Sequence, residues 1–374
     1  MVDLHGQYVR LKEEIDKAML SVIDSSAFIN GSEVKEFCSH LADYLQVPYV
    51  IPCGNGTDAL QIALMALGLQ PGDEVIIPGF TYVAAAEVVA LLRMTPVLVD
   101  VDLNSFNLDP SKLEEAIRQS NAKAIIAVHL FGQSCDMAPI LQLAEKYNLY
   151  VVEDNAQSVG AVYTFPDGHS QMTGTMGDIG TTSFFPSKPL ACYGDGGAIF
   201  THNPKWAERL KMIANHGQKC KYHHQVIGCN SRLDTLQAAV LDVKLKYLES
   251  FNKARQRVAA RYDKAFAPID GIVTPKRSPF STHVYHQYTL QLHPDKRDDV
   301  RTYLKENGVP SMIYYPLPID DQVAYRQITR LPDLLDNSAL LSRSVLSLPI
   351  HTEMTDEEQD YIIQTVLSAI ETVG

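Results

Sequence analysis

The stretch Glu74-Val75-Ile76-Ile77-Pro78-Gly79-Phe80-Thr81-Tyr82-Val83-Ala84-Ala85-Ala86-Glu87-Val88-Val89-Ala90-Leu91-Leu92 decides the fold. Its first part is a β-branched apolar run closed by Pro78-Gly79, which reads as a strand over residues 74–77. Its second part, residues 82–92, is rich in alanine and valine and too long for one strand, so it reads as a helix. A strand without polar alternation is buried on both faces. A helix following at once is the crossover to a parallel neighbour.

The same unit recurs on either side. Strands are expected at residues 49–52, 96–101, 123–130 and 149–153, with helices at 57–69, 110–119 (Asp109 as its cap) and 137–147. Ahead of them stand a helical arm within residues 1–30, apolar at Val9, Ile15, Met19 and Val22, and a helix at 32–44 with Ser32 as cap. After them come strands at 179–185 and 198–200, a helix at 204–215, a basic loop at 217–230 and a long helical region at 233–266. The pattern then changes to an alternating strand at 285–292, a helix at 298–306, a short strand at 312–315 and a helix at 356–372. The expected architecture is α/β. A three-layer α/β/α domain with a mostly parallel sheet and an N-terminal arm covers residues 1–247, and a smaller α+β domain covers 248–374.

Bulk properties narrow the function classes. The chain has 374 residues, 46% hydrophobic and 20% charged, as a globular protein of two domains would. A formal charge of −12 argues against a general nucleic-acid binder, so an anionic ligand needs local donors. The apolar run 84–92 is broken by Glu87 and too short to span a membrane. Met1-Val2-Asp3-Leu4-His5 lacks a signal-peptide pattern, and the six cysteines are scattered without a C-x-x-C pair. The expectation is a cytoplasmic protein with reduced thiols and no metal site.

Ligands of such sheets sit at the carboxyl ends of the strands, where four chemically rich loops fall. Gly54-Asn55-Gly56-Thr57-Asp58 leads glycine-rich backbone into a helix N-terminus, which is an anion site or an ordinary turn. Tyr82 is an aromatic at the rim, able to stack on a planar ligand or to fill the core. Glu153-Asp154-Asn155-Ala156-Gln157-Ser158 puts two carboxylates at the end of a central strand, and a buried carboxylate needs a cation or a donor. Ser183-Phe184-Phe185-Pro186-Ser187-Lys188 places a lone lysine between two strands. Alone it reads as a solvated loop lysine; lowered in pKa by burial, its amine is a nucleophile for carbonyl groups. Phosphate cup, aromatic lid, strand-end carboxylate and lysine together are the set that holds pyridoxal phosphate.

With these pieces the chain resembles the DegT/DnrJ/EryC1/StrS family, sugar aminotransferases of fold type I. The resemblance rests on Gly56-Thr57-Asp58-Ala59-Leu60, Pro71-Gly72-Asp73-Glu74-Val75, Glu153-Asp154 with Ala156-Gln157-Ser158, Ser183-Phe184 with Lys188, Gly194-Asp195-Gly196-Gly197, His216-Gly217 and Asn230-Ser231-Arg232-Leu233. It implies pyridoxal 5′-phosphate (or its pyridoxamine form) as cofactor, joined to Lys188 as an aldimine. It further implies Asp154 on the ring nitrogen, Gln157 on the ring hydroxyl, Tyr82 stacked on the ring, and Thr57, Ser183 and the Gly56 backbone on the phosphate. Asn230 would reach the phosphate of a neighbouring subunit, which makes a homodimer. Arg232, His216, Tyr314 and Tyr315 would face a keto sugar. The branch most resembled acts on UDP-2-acetamido-3-oxo-glucuronate with glutamate as donor and 2-oxoglutarate as product, for surface polysaccharide. Tyr314-Tyr315-Pro316 departs from the His-Tyr-Pro of that branch and leaves other dTDP- or UDP-keto sugars open, while Asn155 stands where the family has Ala. A dehydratase of the family would carry His in place of Lys188, and a cofactor-binding regulator is the remaining alternative.

Overall fold

The computed structural model describes residues 1–373. Seven strands, β1 (Tyr49–Cys53), β2 (Glu74–Pro78), β3 (Thr95–Val99), β4 (Ala122–Val128), β5 (Tyr150–Asp154), β6 (Ile179–Ser183) and β7 (Gly197–Thr201), form one sheet. Their order is β1-β7-β6-β5-β4-β2-β3. Strand β7 runs antiparallel to both β1 and β6, and every other neighbouring pair is parallel. The carboxyl ends of β1, β2, β5 and β6 therefore lie on one rim.

Alternation along the strands builds the layers. Val75 and Ile77 join a core with Leu60, Ile62, Val88 and Leu210, from helices Gly56–Leu67, Ala84–Leu91 and Pro204–Ala214. Ile76, between them in sequence, joins the opposite core with Leu113, Ile117 and Ile140, from helices Pro110–Arg118 and Met137–Tyr147. Both faces are covered, which is why the strands carry no polar alternation. Helix starts are fixed by local chemistry: Asn55, Asp109 and Asn203 each accept a backbone N–H of the first turn, and Pro110 and Pro204 open their helices. Before helix Ser32–Leu45 the cap is Gly31, and Ser32 is the first helical residue, without a side-chain capping bond.

Towards the C-terminus a three-stranded antiparallel sheet forms from β8 (Ile272–Val273), β9 (Tyr288–Leu292) and β10 (Val345–Leu348). Helices Leu248–Phe266, Arg297–Glu306 and Asp356–Val373 cover it around their own core. Several expectations are corrected here. The helical region 233–266 is two helices, Thr235–Leu245 and Leu248–Phe266, separated by a turn that helical periodicity does not reveal. Residues 312–315 are not a strand. Met312 makes a single bridge to Ser347, and Pro310 and Pro316 deny the flanks their donors. Helix Asp336–Ser344 and β10 were not anticipated. In the N-terminal helix Leu4–Ser25, Val9 is exposed and the buried line is Leu11, Ile15 and Val22, with Leu11 and Ile15 packed near Val240, Val243 and Phe251.

Candidate active site

The rim loops enclose a cavity of about 450 Å³. From the sheet side it is lined by Asn55, Gly56 and Thr57 after β1, Tyr82 after β2, Asp154 and Gln157 at β5, and Ser183 and Lys188 at β6. Across from them stand His286 and Gln287, which precede β9, with Tyr314 and Tyr315.

The anion cup is built by a close approach. A Cβ on Gly56 would lie 2.7 Å from the Cβ of Ser183 and 3.3 Å from its Oγ, so only glycine lets the helix start touch this serine. The Asn55 side chain caps the same helix, its Oδ1 accepting the Asp58 N–H at 2.8 Å. Free N–H groups, the helix dipole and two hydroxyls thus converge, the arrangement that binds a phosphate.

The two acidic residues ending β5 part ways. Strand alternation turns Glu153 into the interior, where it accepts from His129 Nε2 at 2.8 Å and from the N–H groups of Gly174, Met176 and Gly177 at 2.8, 2.6 and 2.6 Å. The Cys135 N–H donates to His129 Nδ1 at 3.1 Å, which leaves the ring proton on Nε2 for Glu153. Asp154 faces the cavity and accepts only the Ala156 N–H, at 3.0 Å. Burial pushes its carboxyl up, while Ala156, Lys188 and His129 pull it back. A carboxylate so placed favours a cationic partner such as a protonated ring nitrogen. Asn155, beside it, is turned inward, donating to the Thr173 carbonyl at 2.8 Å and accepting from Ser158.

Lys188 closes a turn with its N–H on the Phe185 carbonyl at 2.9 Å, Pro186 standing second in the turn. Burial pushes its amine down to about 8, against an opposing pull from Asp154. Near neutral pH a useful fraction is therefore unprotonated. Gln157 is held at both ends, its Oε1 accepting the Phe131 N–H at 2.8 Å and its Nε2 donating to the Tyr315 hydroxyl at 3.2 Å. Tyr82 is 54% exposed, so its ring has an open face, and the Tyr315 ring centroid lies 6.1 Å away.

The structure thus gathers Gly56, Thr57, Tyr82, Asp154, Gln157, Ser183, Lys188, Tyr314 and Tyr315 around one cavity. Asn230, Arg232 and His216 do not line it; Asn230 and His216 are exposed, and Arg232 is half-buried. Sequence reading missed His286 and Gln287, which stand in an ordinary-looking alternating run. Gly132 is what admits them. It has φ +115°, and a Cβ there would lie 2.7 Å from the Tyr285 nitrogen and 2.9 Å from that of His286.

Comparison with known proteins agrees with this geometry. The model of the DegT/DnrJ/EryC1/StrS aminotransferase family matches residues 9–367. The chain is 47% identical over 350 residues to a UDP-2-acetamido-2-deoxy-3-oxo-D-glucuronate aminotransferase of Pseudomonas aeruginosa, covering 94% of each chain. It is 41% identical over 368 residues to a protein of Geobacillus stearothermophilus named a pleiotropic regulatory protein, covering 98% of this chain and 97% of that one. The crystal structure of a DegT DnrJ EryC1 StrS aminotransferase from Brucella abortus superposes with a TM-score of 0.93 at 40% identity, over 98% of both chains. With Lys188, the strand-end Asp154 and the Gly56 helix start on the rim of a type I fold, the chain belongs to the DegT/DnrJ/EryC1/StrS aminotransferase family.

Proposed function

We propose that the protein is a pyridoxal 5′-phosphate-dependent nucleotide-sugar aminotransferase. It moves the amino group of L-glutamate to the C3 ketone of UDP-2-acetamido-2-deoxy-3-oxo-D-glucuronate. The products are 2-oxoglutarate and a 3-amino sugar destined for surface polysaccharide or lipopolysaccharide. The observation that carries the reading is the single cavity holding Thr57, Ser183, Asp154, Gln157 and Lys188 together. The 47% identity to the Pseudomonas enzyme supports the choice of sugar.

The residues fit the cofactor. Thr57, Ser183 and the Gly56 backbone would take its phosphate, Asp154 its ring nitrogen, Gln157 Nε2 its ring hydroxyl, Tyr82 its face and Lys188 its aldehyde carbon. Bound there, pyridoxal phosphate supplies an electron sink that stabilises negative charge at an amino-acid α-carbon. Asp154, whose charge the Ala156 N–H and Lys188 favour, would hold the ring nitrogen protonated. Lys188 Nζ, partly unprotonated near neutral pH, would take the α-proton of glutamate and deliver a proton to the aldehyde carbon of the cofactor. The same amine repeats the transfer in reverse for the sugar, so one residue serves both half-reactions and the kinetics are ping-pong. Tyr315, tied to Gln157, and Tyr314 line the sugar side.

Asn230, Arg232 and His216 belong to the same proposal through a homodimer. Each protomer lends Asn230 to its neighbour's phosphate site, and Arg232 and His216 to the sugar acid or diphosphate. Their place outside their own chain's cavity is in keeping with this. Residues 1–247 form the cofactor domain and 248–374 the domain that closes over it. The enzyme works in the cytoplasm, in keeping with its free cysteines; no described helix is long and apolar enough to cross a membrane.

Tyr314 favours one second reading, a different keto sugar such as a dTDP-3-keto or UDP-4-keto deoxy sugar, because it brings a phenol to the sugar side of the cavity. The test is spectroscopic. Glutamate should bleach the yellow holoenzyme, and UDP-2-acetamido-2-deoxy-3-oxo-D-glucuronate should restore the colour. Bleaching without recovery replaces the sugar; a holoenzyme that no amino acid bleaches is a regulator, not a transaminase.

A further inference from the structure

The helix start at the cavity carries a carboxylate of its own, close to where an anion is to bind. Asn55 caps helix Gly56–Leu67, and Asp58 is the third residue of that helix. An acid at this place can complete a capping box by reaching back to the N–H of the cap residue. Only half of the box forms. Asn55 Oδ1 accepts the Asp58 N–H at 2.8 Å. The Asp58 carboxylate goes elsewhere: its Oδ2 accepts the hydroxyl of Ser231 at 2.6 Å. Ser231 Oγ in turn accepts the Gly54 N–H at 2.8 Å.

Ser231 is held from behind. It is 2% exposed, its N–H donates to the Ala214 carbonyl at 3.0 Å, and Asn230 before it bridges Asn215. The Gly54 turn is close-fitting, since a Cβ there would lie 3.1 Å from Asp58 Oδ2 and 3.3 Å from Ser231 Oγ. Asn55, Gly56 and Thr57 line the cavity, whereas Gly54, Asp58 and Ser231, which bracket them, do not. The first-turn N–H groups of a helix have no acceptor within the helix. A carboxylate of the same turn and an incoming phosphate compete for them, and two negative charges in one place repel. The Ser231 hydroxyl gives the Asp58 carboxylate a charge-assisted bond away from those donors. Ser231 stands between Asn230 and Arg232, so the segment proposed to serve a neighbouring protomer also shapes its own chain's cup.

We propose that Ser231 is a positioning residue of the phosphate cup. Its hydroxyl holds the Asp58 carboxylate off the helix start and fixes the Gly54 turn, which leaves the N–H groups there to a phosphate. The assignment rests on the pyridoxal phosphate reading and adds to it a residue that never touches the cofactor.

The test compares pyridoxal phosphate with pyridoxal, the same aldehyde without its phosphate, each titrated into full-length apoenzyme beside inorganic phosphate. Ser231→Ala should weaken pyridoxal phosphate and inorganic phosphate about tenfold and leave pyridoxal unchanged. Removing the released carboxylate as well, in Ser231→Ala/Asp58→Ala, should restore part of the phosphate affinity. A residue that serves only stability would give the reverse, a double variant weaker than the single one. Unchanged phosphate affinity in Ser231→Ala overturns the assignment. So does an equal loss of pyridoxal, which would mark damage to the whole site, or a double variant that recovers nothing. Failure of the parent reading shows in the wild type instead. Apoenzyme that binds pyridoxal phosphate no more tightly than pyridoxal has no phosphate cup, and the Ser231 assignment falls with it.

Discussion

The two walls of the cavity are made differently. On the sheet side each functional residue stands within a few positions of a strand end, and the strand is locked by pairing in the seven-stranded sheet and by core on both faces. On the opposite side, His286, Gln287, Tyr314 and Tyr315 sit outside regular strands. Scattered long-range bonds hold them, among them Val284 N–H to the Gly132 carbonyl at 2.8 Å, Gln287 N–H to that of Phe131 at 3.3 Å, Gln157 Nε2 to the Tyr315 hydroxyl at 3.2 Å, and Met312 paired with Ser347. On the proposed reading, the rigid wall carries the residues of the chemistry and the other, adaptable wall faces the substrate. Loops on a stiff scaffold are where specificity can change at little cost to the fold.

This contrast can be broken in order of expected effect. Lys188→Ala should cost about 10³-fold or more in turnover, with the cofactor retained but its yellow lysine-bound band lost. A variant that keeps the band would remove Lys188 from its role. Asp154→Asn should cost about 10²–10³-fold while leaving the overall fold intact by circular dichroism. It also tests the electrostatics. In cofactor-free enzyme the Lys188 amine becomes reactive as pH rises through about 8, and Asp154 holds that value up. Without the carboxylate the midpoint for modification of Lys188 should move to lower pH; a move upward would contradict the pairing.

Gly56→Ala forces a Cβ against Ser183 at 2.7 Å. Overpacking of this kind costs about 1–3 kcal/mol, read as a lower melting temperature together with weaker cofactor binding. An unchanged cofactor Kd would mean that the helix start and Ser183 do not share a phosphate. Tyr315→Phe removes the acceptor of the Gln157 amide and should cost about 0.5–1.5 kcal/mol, seen as a KM rise of a few fold for the sugar and little change in kcat. If it matched Asp154→Asn in effect, the division between a chemical wall and a substrate wall would fail.

Much of the rigid wall was legible beforehand, because strand, strand-end loop and helix are read from consecutive residues. Thr57, Tyr82, Asp154 and Lys188 each follow an apolar run that stops at a turn signal. The adaptable wall was legible only in part: the family resemblance named Tyr314 and Tyr315, both of which line the cavity, but not His286 or Gln287. Residues 312–315 look like a strand by composition yet have only one bridging partner, and His286 lies in an alternating run whose first part does not pair as a strand. No periodicity marks either as cavity lining; only the resemblance pointed to Tyr314 and Tyr315.

By itself the sequence determined the alternation of strands and helices, the parallel character of the sheet and the residue types brought to its rim. These follow from short-range periodicity and from the burial of both sheet faces. Only the tertiary structure decided that β7 turns back between β1 and β6, and that Glu153 is consumed by His129 and three backbone donors while its neighbour Asp154 is left for the cavity. It also decided that Gly132 lets a distant segment bring His286 beside Lys188. Which face of a strand meets the cavity, and which remote loop closes it, depends on contacts between residues far apart in the chain, and those contacts leave no periodic signal.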